Sequence, residues 1–273
     1  MDRLIEEVEF TIFDTETTGL EPRAGDRVVE IAAIRFKGEE KLAVFSSLVN
    51  PEREVSPGAF AVNKISKEML RDAPKITEVM PEFLKFIAGS CICSYNASFD
   101  LEFMQNEARI IKSEFPKEII VLDILKMARR LLPKLERYAL WFVVQHLGIK
   151  QQQQHRALSD VEITWLVFKH LKEKLISQGV SDFRNFSRLF SLNPQFLQDL
   201  NAQRIAEIEE AIAREMKLKI KYLSSVNAQV TERQVTPREI KQERGVSYVI
   251  GYCSLRNEER SFRIDGILHL EIV

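Results

Sequence analysis

At 273 residues the chain has room for one large or two ordinary domains, and its 45% hydrophobic and 29% charged residues exclude a wholly disordered protein. A formal net charge of −1 excludes polyanion binding driven by overall charge, so any nucleic-acid surface must be a local patch. No apolar run reaches bilayer-spanning length, and the opening Met1-Asp2-Arg3-Leu4-Ile5-Glu6-Glu7 is too acidic for a secretory signal. Cys91, Cys93 and Cys253, the only cysteines, lie in no His/Cys cluster, so buried reduced thiols in a cytoplasmic protein are expected.

Val8, Phe10 and Ile12 alternate with Glu9 and Thr11, the period of a half-buried strand, which ends in a Thr17-Thr18-Gly19 turn. Two β-like runs, 27–37 and 41–49, are joined through Gly38-Glu39-Glu40 as a hairpin. The pattern then predicts a helix over 81–88, a short buried strand over 90–95, a helix over 100–111 and a β-rich run over 118–122. Helical stretches follow over 124–132 and 138–147, a glutamine loop over 151–154, and a long amphipathic helix over 158–176. Strands first, then strands alternating with helices, argue for an α/β domain with a mixed sheet over 1–179. The stretch 182–216 is helical in pattern, with Ile205, Ile208, Ala211 and Ile212 on one face, which makes 180–216 a helical connector. Character then changes to β over 220–223, 229–235, 247–253 and 261–273, a small second domain over 217–273.

Parity continues along the first strand, so Asp14 and Glu16 fall on the same face as Val8, Phe10 and Ile12. Two carboxylates ending an apolar face are costly unless a divalent cation compensates them. A lone Asp-x-Glu would mean only that the strand has reached solvent. Asp100 and Asp160, each near the start of a predicted helix, would singly be first-turn acids, and His155 an ordinary loop histidine.

Together, Phe13-Asp14-Thr15-Glu16-Thr17-Thr18-Gly19-Leu20, Asn96-Ala97-Ser98-Phe99-Asp100 and His155-Arg156-Ala157-Leu158-Ser159-Asp160 resemble the three motifs of the DEDDh (DnaQ-like) 3′→5′ exonucleases, in the family's order. Ile65-Ser66-Lys67-Glu68-Met69-Leu70 and Val121-Leu122-Asp123-Ile124-Leu125 extend the resemblance over roughly 7–175. The resemblance implies a ribonuclease H-like fold, a mixed five-stranded sheet flanked by helices. It implies that Asp14, Glu16, Asp100 and Asp160 hold two divalent cations, roughly 3.5–4 Å apart, for in-line displacement at phosphorus, with Asp14 bridging. Oxygen ligands without thiolate suit Mg²⁺ or Mn²⁺. His155 is implied as general base. Thr17, Gly19, Leu20, Ile65 and Phe99 are implied as contacts to the 3′-terminal nucleotide, although relatives carry His-Gly where this chain has Asn63-Lys64. A free 3′ end of DNA or RNA is the expected substrate.

The second domain resembles the WYL family, an Sm-like β-barrel, through Tyr222, Thr231-Glu232-Arg233-Gln234-Val235-Thr236-Pro237, Tyr248-Val249-Ile250-Gly251-Tyr252-Cys253 and Arg260-Ser261-Phe262-Arg263-Ile264-Asp265. Ser247 replaces the name-giving Trp, and Gly266 stands where an Arg commonly precedes the Ile. Tyr222, Arg233, Tyr248, Arg260 and Arg263 are candidate contacts to an anion or nucleic acid; solvated arginines and packed tyrosines are the other reading. Three functions stay open: an exonuclease acting alone or beside a repair complex, a proofreading subunit bound to a DNA polymerase, and a non-catalytic nucleic-acid or ligand sensor. Arg188-Leu189-Phe190-Ser191-Leu192 is the one faintly clamp-like stretch, and it reads better as buried helix.

Overall fold

Strand β1 (Glu9–Thr17) is buried on both faces, not on one as its alternation suggests: Phe10 and Ile12 enter one core and Phe13 the other. The computed structural model describes residues 3–151, 153–243 and 245–273; Met1 and Asp2 of the opening stretch and Gln152 of the glutamine run lie outside the described residues. Burial on both faces follows from β1 being central. It pairs antiparallel with β2 (Val28–Lys37), which turns through Gly38 into β3 (Glu40–Leu48), and parallel with β4 (Cys91–Ser94). With β5 (Val121–Asp123) the order is β3-β2-β1-β4-β5, a mixed five-stranded sheet as expected. Buried Thr11 is satisfied by a hydroxyl pair with Ser90 at 2.7 Å.

Between β3 and β4 lie two short helices that the sequence pattern did not reveal, α1 (Pro57–Asn63) and α2 (Lys67–Arg71), capped by the Ser56 and Ser66 hydroxyls. α3 (Ile76–Ile87) starts five residues earlier than expected, because Glu78 accepts from the Lys75 N–H at 3.0 Å and closes the first turn. α3 and α4 (Ala97–Ile110) pack on the Phe13 face of the sheet. The opposite face, carrying Phe10, Ile12, Ala32, Ile34 and Cys93, is covered by α5 (Ile124–Leu131), α6 (Leu140–His146), α7 (Ala157–Ile176) and α8 (Phe183–Phe190).

The connector is two helices rather than one. Ser191 bridges Leu122 at the β5 edge, the Leu192 N–H donates to Val121 at 2.9 Å, and Pro194 then opens α9 (Pro194–Ala213). α8 belongs to the first core through Phe183, Phe186, Leu189 and Phe190, whereas Ile208 and Ala211 of α9 belong to the second.

That second core lies under β6 (Leu218–Leu223), β7 (Val230–Glu243), β8 (Val246–Cys253), β9 (Glu258–Arg263) and β10 (Ile267–Ile272), an antiparallel sheet ordered β10-β6-β7-β8-β9. The expected 261–273 run is broken by a 3₁₀ turn at Ile264–Gly266. β6 and β9 are separated by two strands, yet Tyr222 meets Phe262 edge-on at 5.2 Å, so the sheet curls back on itself. The curl uses the irregularity at Pro237 of β7, which has no N–H to donate, opposite Gly251; a Cβ at Gly251 would lie 2.3 Å from the Thr236 carbonyl oxygen. All three cysteines are buried and free. Among the described residues no helix is long and apolar enough to cross a membrane.

Phe186 ties α8 to the sheet through rings of Phe10 at 6.1 Å, Phe168 at 5.9 Å and Phe190 at 5.3 Å, with no exposed surface. Phe186→Ala is expected to destabilise the first domain by about 3–5 kcal/mol in urea unfolding, whereas Leu42→Ala, on an exposed side chain, should stay within about 0.5 kcal/mol.

Candidate metal centre

The pairing of β1 with β4 ends at Ile12 and Cys93, while its pairing with β2 runs on to Glu16 opposite Glu30. Asp14 and Glu16 therefore stand past the parallel edge, at the mouth left where β4 gives way to α4. The first turn of α7 brings Asp160 to them. One carboxylate oxygen from each of Asp14, Glu16 and Asp160 lies within 4.8 Å of the others.

Asp100, in the first turn of α4, comes up beside Asp14, but its oxygens are held. One accepts from the Thr15 N–H at 2.9 Å and the Thr15 hydroxyl at 2.7 Å, the other from the Ser94 hydroxyl. Asp160 accepts from the Gln153 amide at 2.7 Å, and its second oxygen, Oδ1, is buried without a hydrogen-bond partner. Crowding buried acids in this way costs free energy. Burial, then the charges of Asp100, Asp160, Glu16 and Glu30, push Asp14 well above the usual carboxylate range. Burial and the charges of Asp160 and Glu30 raise Glu16 to about 8, against the Asn63 side chain. Asp100 is raised to about 6 because burial outweighs its hydrogen bonds from Ser94 and Thr15. Asp160 is raised by burial, in part offset by Gln153 and His155.

The other candidates fall in several places. His155 is exposed, with a left-handed backbone (φ +51°), on the loop just before α7 and outside the three converging carboxylates. The residue after it is anchored: Arg156 makes a two-pronged pair to Glu30 at 3.0 and 2.6 Å, and the Ala157 N–H donates to the same carboxylate at 3.0 Å. Thr17 is buried and donates to the Gly19 carbonyl at 2.6 Å. At Gly19 a Cβ would lie 2.2 Å from the Asp26 carboxylate, which is held by the Thr18 hydroxyl and the Glu21 N–H. Leu20 is 78% exposed, and Phe99 is half-buried against Phe103. The Ile65 side chain is fully buried with Val29 and Leu70, so only its backbone is available to a ligand.

Residues the sequence reading missed include Glu30, Asn63 and Gln153. Glu30 interrupts an otherwise apolar β2, and that isolated acid was a readable signal. Asn63 is buried; its amide donates to the Thr17 carbonyl at 3.3 Å and its Oδ1 accepts from the Ile65 N–H at 3.1 Å, beside Glu16.

In the second domain the candidate residues divide. Tyr222, Tyr248 and Arg263 come together, and Arg263 forks onto Asp265 at 3.0 and 2.7 Å. Arg233 lies across the Phe262 ring, whereas Arg260 is exposed and bound to Glu258. The space beside Gly266 is filled from both domains: a Cβ there would lie 2.8 Å from Arg130 Nη2 and 2.8 Å from Tyr222 Cε2. Arg130 also approaches Asp265 at 3.4 Å.

Family comparison decides what this arrangement belongs to. The Exonuclease family model matches residues 11–168, well over half of the chain. The chain belongs to the exonuclease family. A WYL domain model matches residues 203–272. DNA polymerase III subunit epsilon of Treponema pallidum (strain Nichols) is 35% identical over 175 residues, 62% of this chain and 80% of that protein. A PolC-type DNA polymerase III of Caldanaerobacter subterraneus subsp. tengcongensis is 35% identical over 174 residues, 64% of this chain. The chain spans only 12% and 15% of the two PolC-type relatives it matches first. E. coli exonuclease I, solved with single-stranded DNA in a zinc-bound form, is 19% identical with a TM-score of 0.60, covering 89% of this chain and 54% of that one. The nuclease domain of a 3′ exonuclease of the DEDDh family, bound to rAMP, gives 0.54 at 15% identity over 63% of this chain and 94% of that one. Both likenesses are of fold.

Oxygen donors without thiolate, a buried unpartnered Asp160 Oδ1 and mutually repelling acids fit a hard divalent cation. The sign of the pH dependence follows from the raised carboxyls. They keep protons in the folded state that the unfolded chain has released, so without metal these groups remove stability as pH rises. Between the ordinary Glu16 value of 4.5 and about 8, the metal-free protein should lose thermal stability. Asp14→Asn should flatten that decline, and Mn²⁺ should stabilise the wild type most at the upper end. Melting curves across pH in chelator and in Mn²⁺ read all three effects.

Proposed function

We propose that the chain is a 3′→5′ exonuclease, hydrolysing the terminal phosphodiester of DNA or RNA and releasing nucleoside monophosphates with two Mg²⁺ or Mn²⁺ ions. The convergence of Asp14, Glu16 and Asp160 carries the reading, and Asp100, whose oxygens accept from Thr15 and Ser94, would be the fourth ligand. Bound there, the ions would supply Lewis-acid activation of water and shielding of the departing 3′-oxygen. Asp14, Glu16, Asp100 and Asp160 would hold them, and His155 would take the proton of the attacking water. Its exposed loop allows it to approach when substrate arrives, while the pair between Arg156 and Glu30 keeps the adjoining helix start fixed. Leu20 and Phe99 offer apolar surface to the terminal base, and the Thr17–Gly19 turn offers backbone to its sugar.

The names of the relatives favour polymerase association as a second reading. Arg188, Leu189, Phe190 and Ser191 of the clamp-like stretch are buried, so docking would use another surface. A cytoplasmic location fits either role. A non-catalytic sensor would have no need of all four acids.

Labelled oligonucleotides of DNA and of RNA, marked separately at each end, test the proposal. With Mg²⁺ the wild type should shorten strands from the 3′ end and release mononucleotides. His155→Ala should lose on the order of 10²–10⁴ in kcat, and Asp14→Ala should be inactive. No mononucleotide release from any substrate would favour the sensor.

A further inference from the structure

Where the two domains meet, α8, α9 and β10 line a cleft of about 230 Å³, partly open to solvent, that shares no lining residue with the carboxylate cleft. Arg184 and Arg188 of α8 and Arg204 of α9 line it, with Leu268 and His269 of β10. Arg188 is 3% exposed; its Nη1 donates to Asn185 Oδ1 at 3.3 Å and to the Ile267 carbonyl at 3.2 Å, and its Nε is buried with no partner. Arg204 spends Nη2 on the Leu268 carbonyl at 2.8 Å, leaving Nη1 buried and unpartnered. Arg184 is exposed and touches Gln203 at 3.3 Å.

Among the described residues none of the three makes a direct ion pair, and Glu207 is the one carboxylate in the lining. Guanidiniums buried side by side are costly, and the carboxylates of Asp182, Asp265 and Glu207 offset that cost only in part. Burial and the neighbouring arginines push Arg188 down to about 10 and Arg204 to about 9. If these guanidiniums only braced the carbonyls of β10, neutral amides would serve at lower cost.

We propose that this cleft binds a phosphate dianion, free or as the terminal group of a phosphomonoester. Guanidinium forks match phosphate oxygens in pairs. A terminal phosphate carries about −1.5 to −2 at neutral pH, nearer to balancing three arginines than a carboxylate or an internal phosphodiester. The volume suits a headgroup rather than a whole dinucleotide. The inference stands apart from the nuclease reading, since it uses none of the same residues.

Phosphate titrations of the full chain in chelator, at ionic strength held constant with chloride, test it by calorimetry and thermal unfolding. Inorganic phosphate should bind and raise the midpoint of the wild type. Arg204→Met should weaken binding tenfold or more (about 1.4 kcal/mol), yet melt no lower than the wild type when phosphate is absent. Arg184→Gln, at an exposed position, should weaken binding several-fold and carries the test if the other variant does not fold. A nucleoside 5′-monophosphate and a 5′-phosphorylated oligonucleotide, titrated alongside, distinguish a small-molecule source from a strand terminus. The proposal is overturned by a wild type that responds to phosphate no more than to chloride. An unchanged response in the folded variants, or equal binding of a 5′-hydroxyl oligonucleotide, also overturns it.

Discussion

Mutual repulsion among the acids at the end of β1 is the constraint around which the first domain is arranged. Asp14 and Glu16 are driven together by strand parity, Asp160 is delivered by a helix start, and Glu30 lies opposite Glu16 in the sheet. A fold that crowds negative charge into a partly buried mouth is stable because cores on both sheet faces hold it closed, and Asp100, Asp160 and Glu30 have donors turned toward them. The donors are uneven. Asp100 and Glu30 are well bonded, whereas Asp14 takes the full effect of its neighbours and is pushed well above the usual carboxylate range.

What was legible in the sequence was whatever repeats locally or matches a known motif. The alternation of β1 put Asp14 and Glu16 on one face, and the run through Gly38 gave the hairpin of β2 and β3, while the order of the five strands came from the structure. Long-range partners were not legible. Glu30 holds Arg156 from a segment far along the chain. The break in the connector depends on Ser191 and Leu192 meeting the exposed edge of β5, a pairing no local pattern announces. α1 and α2 escaped notice because each is shorter than two turns of helix and has no repeating apolar face.

The two domains are joined more closely than a connector suggests. α8 is part of the nuclease core, α9 closes the curled sheet, and side chains cross between them in both directions. Lys221 donates to the Gly179 carbonyl at 2.9 Å, and the Val230 N–H to Gln178 at 2.9 Å. α5 presents Leu125 and Arg129 to the carboxylate cleft and Arg130 to Asp265, so one rigid helix touches both halves.

The guanidinium seated beside Gly266 has an evolutionary corollary. A side chain at 266 and the long side chain at 130 compete for one space, so each position limits what mutation can offer the other. A side chain at 266 would have to displace the end of Arg130 and the ring of Tyr222 together, each 2.8 Å from where its Cβ would lie. Replacing either half would change what fills that space, so this point of the seam couples the two domains.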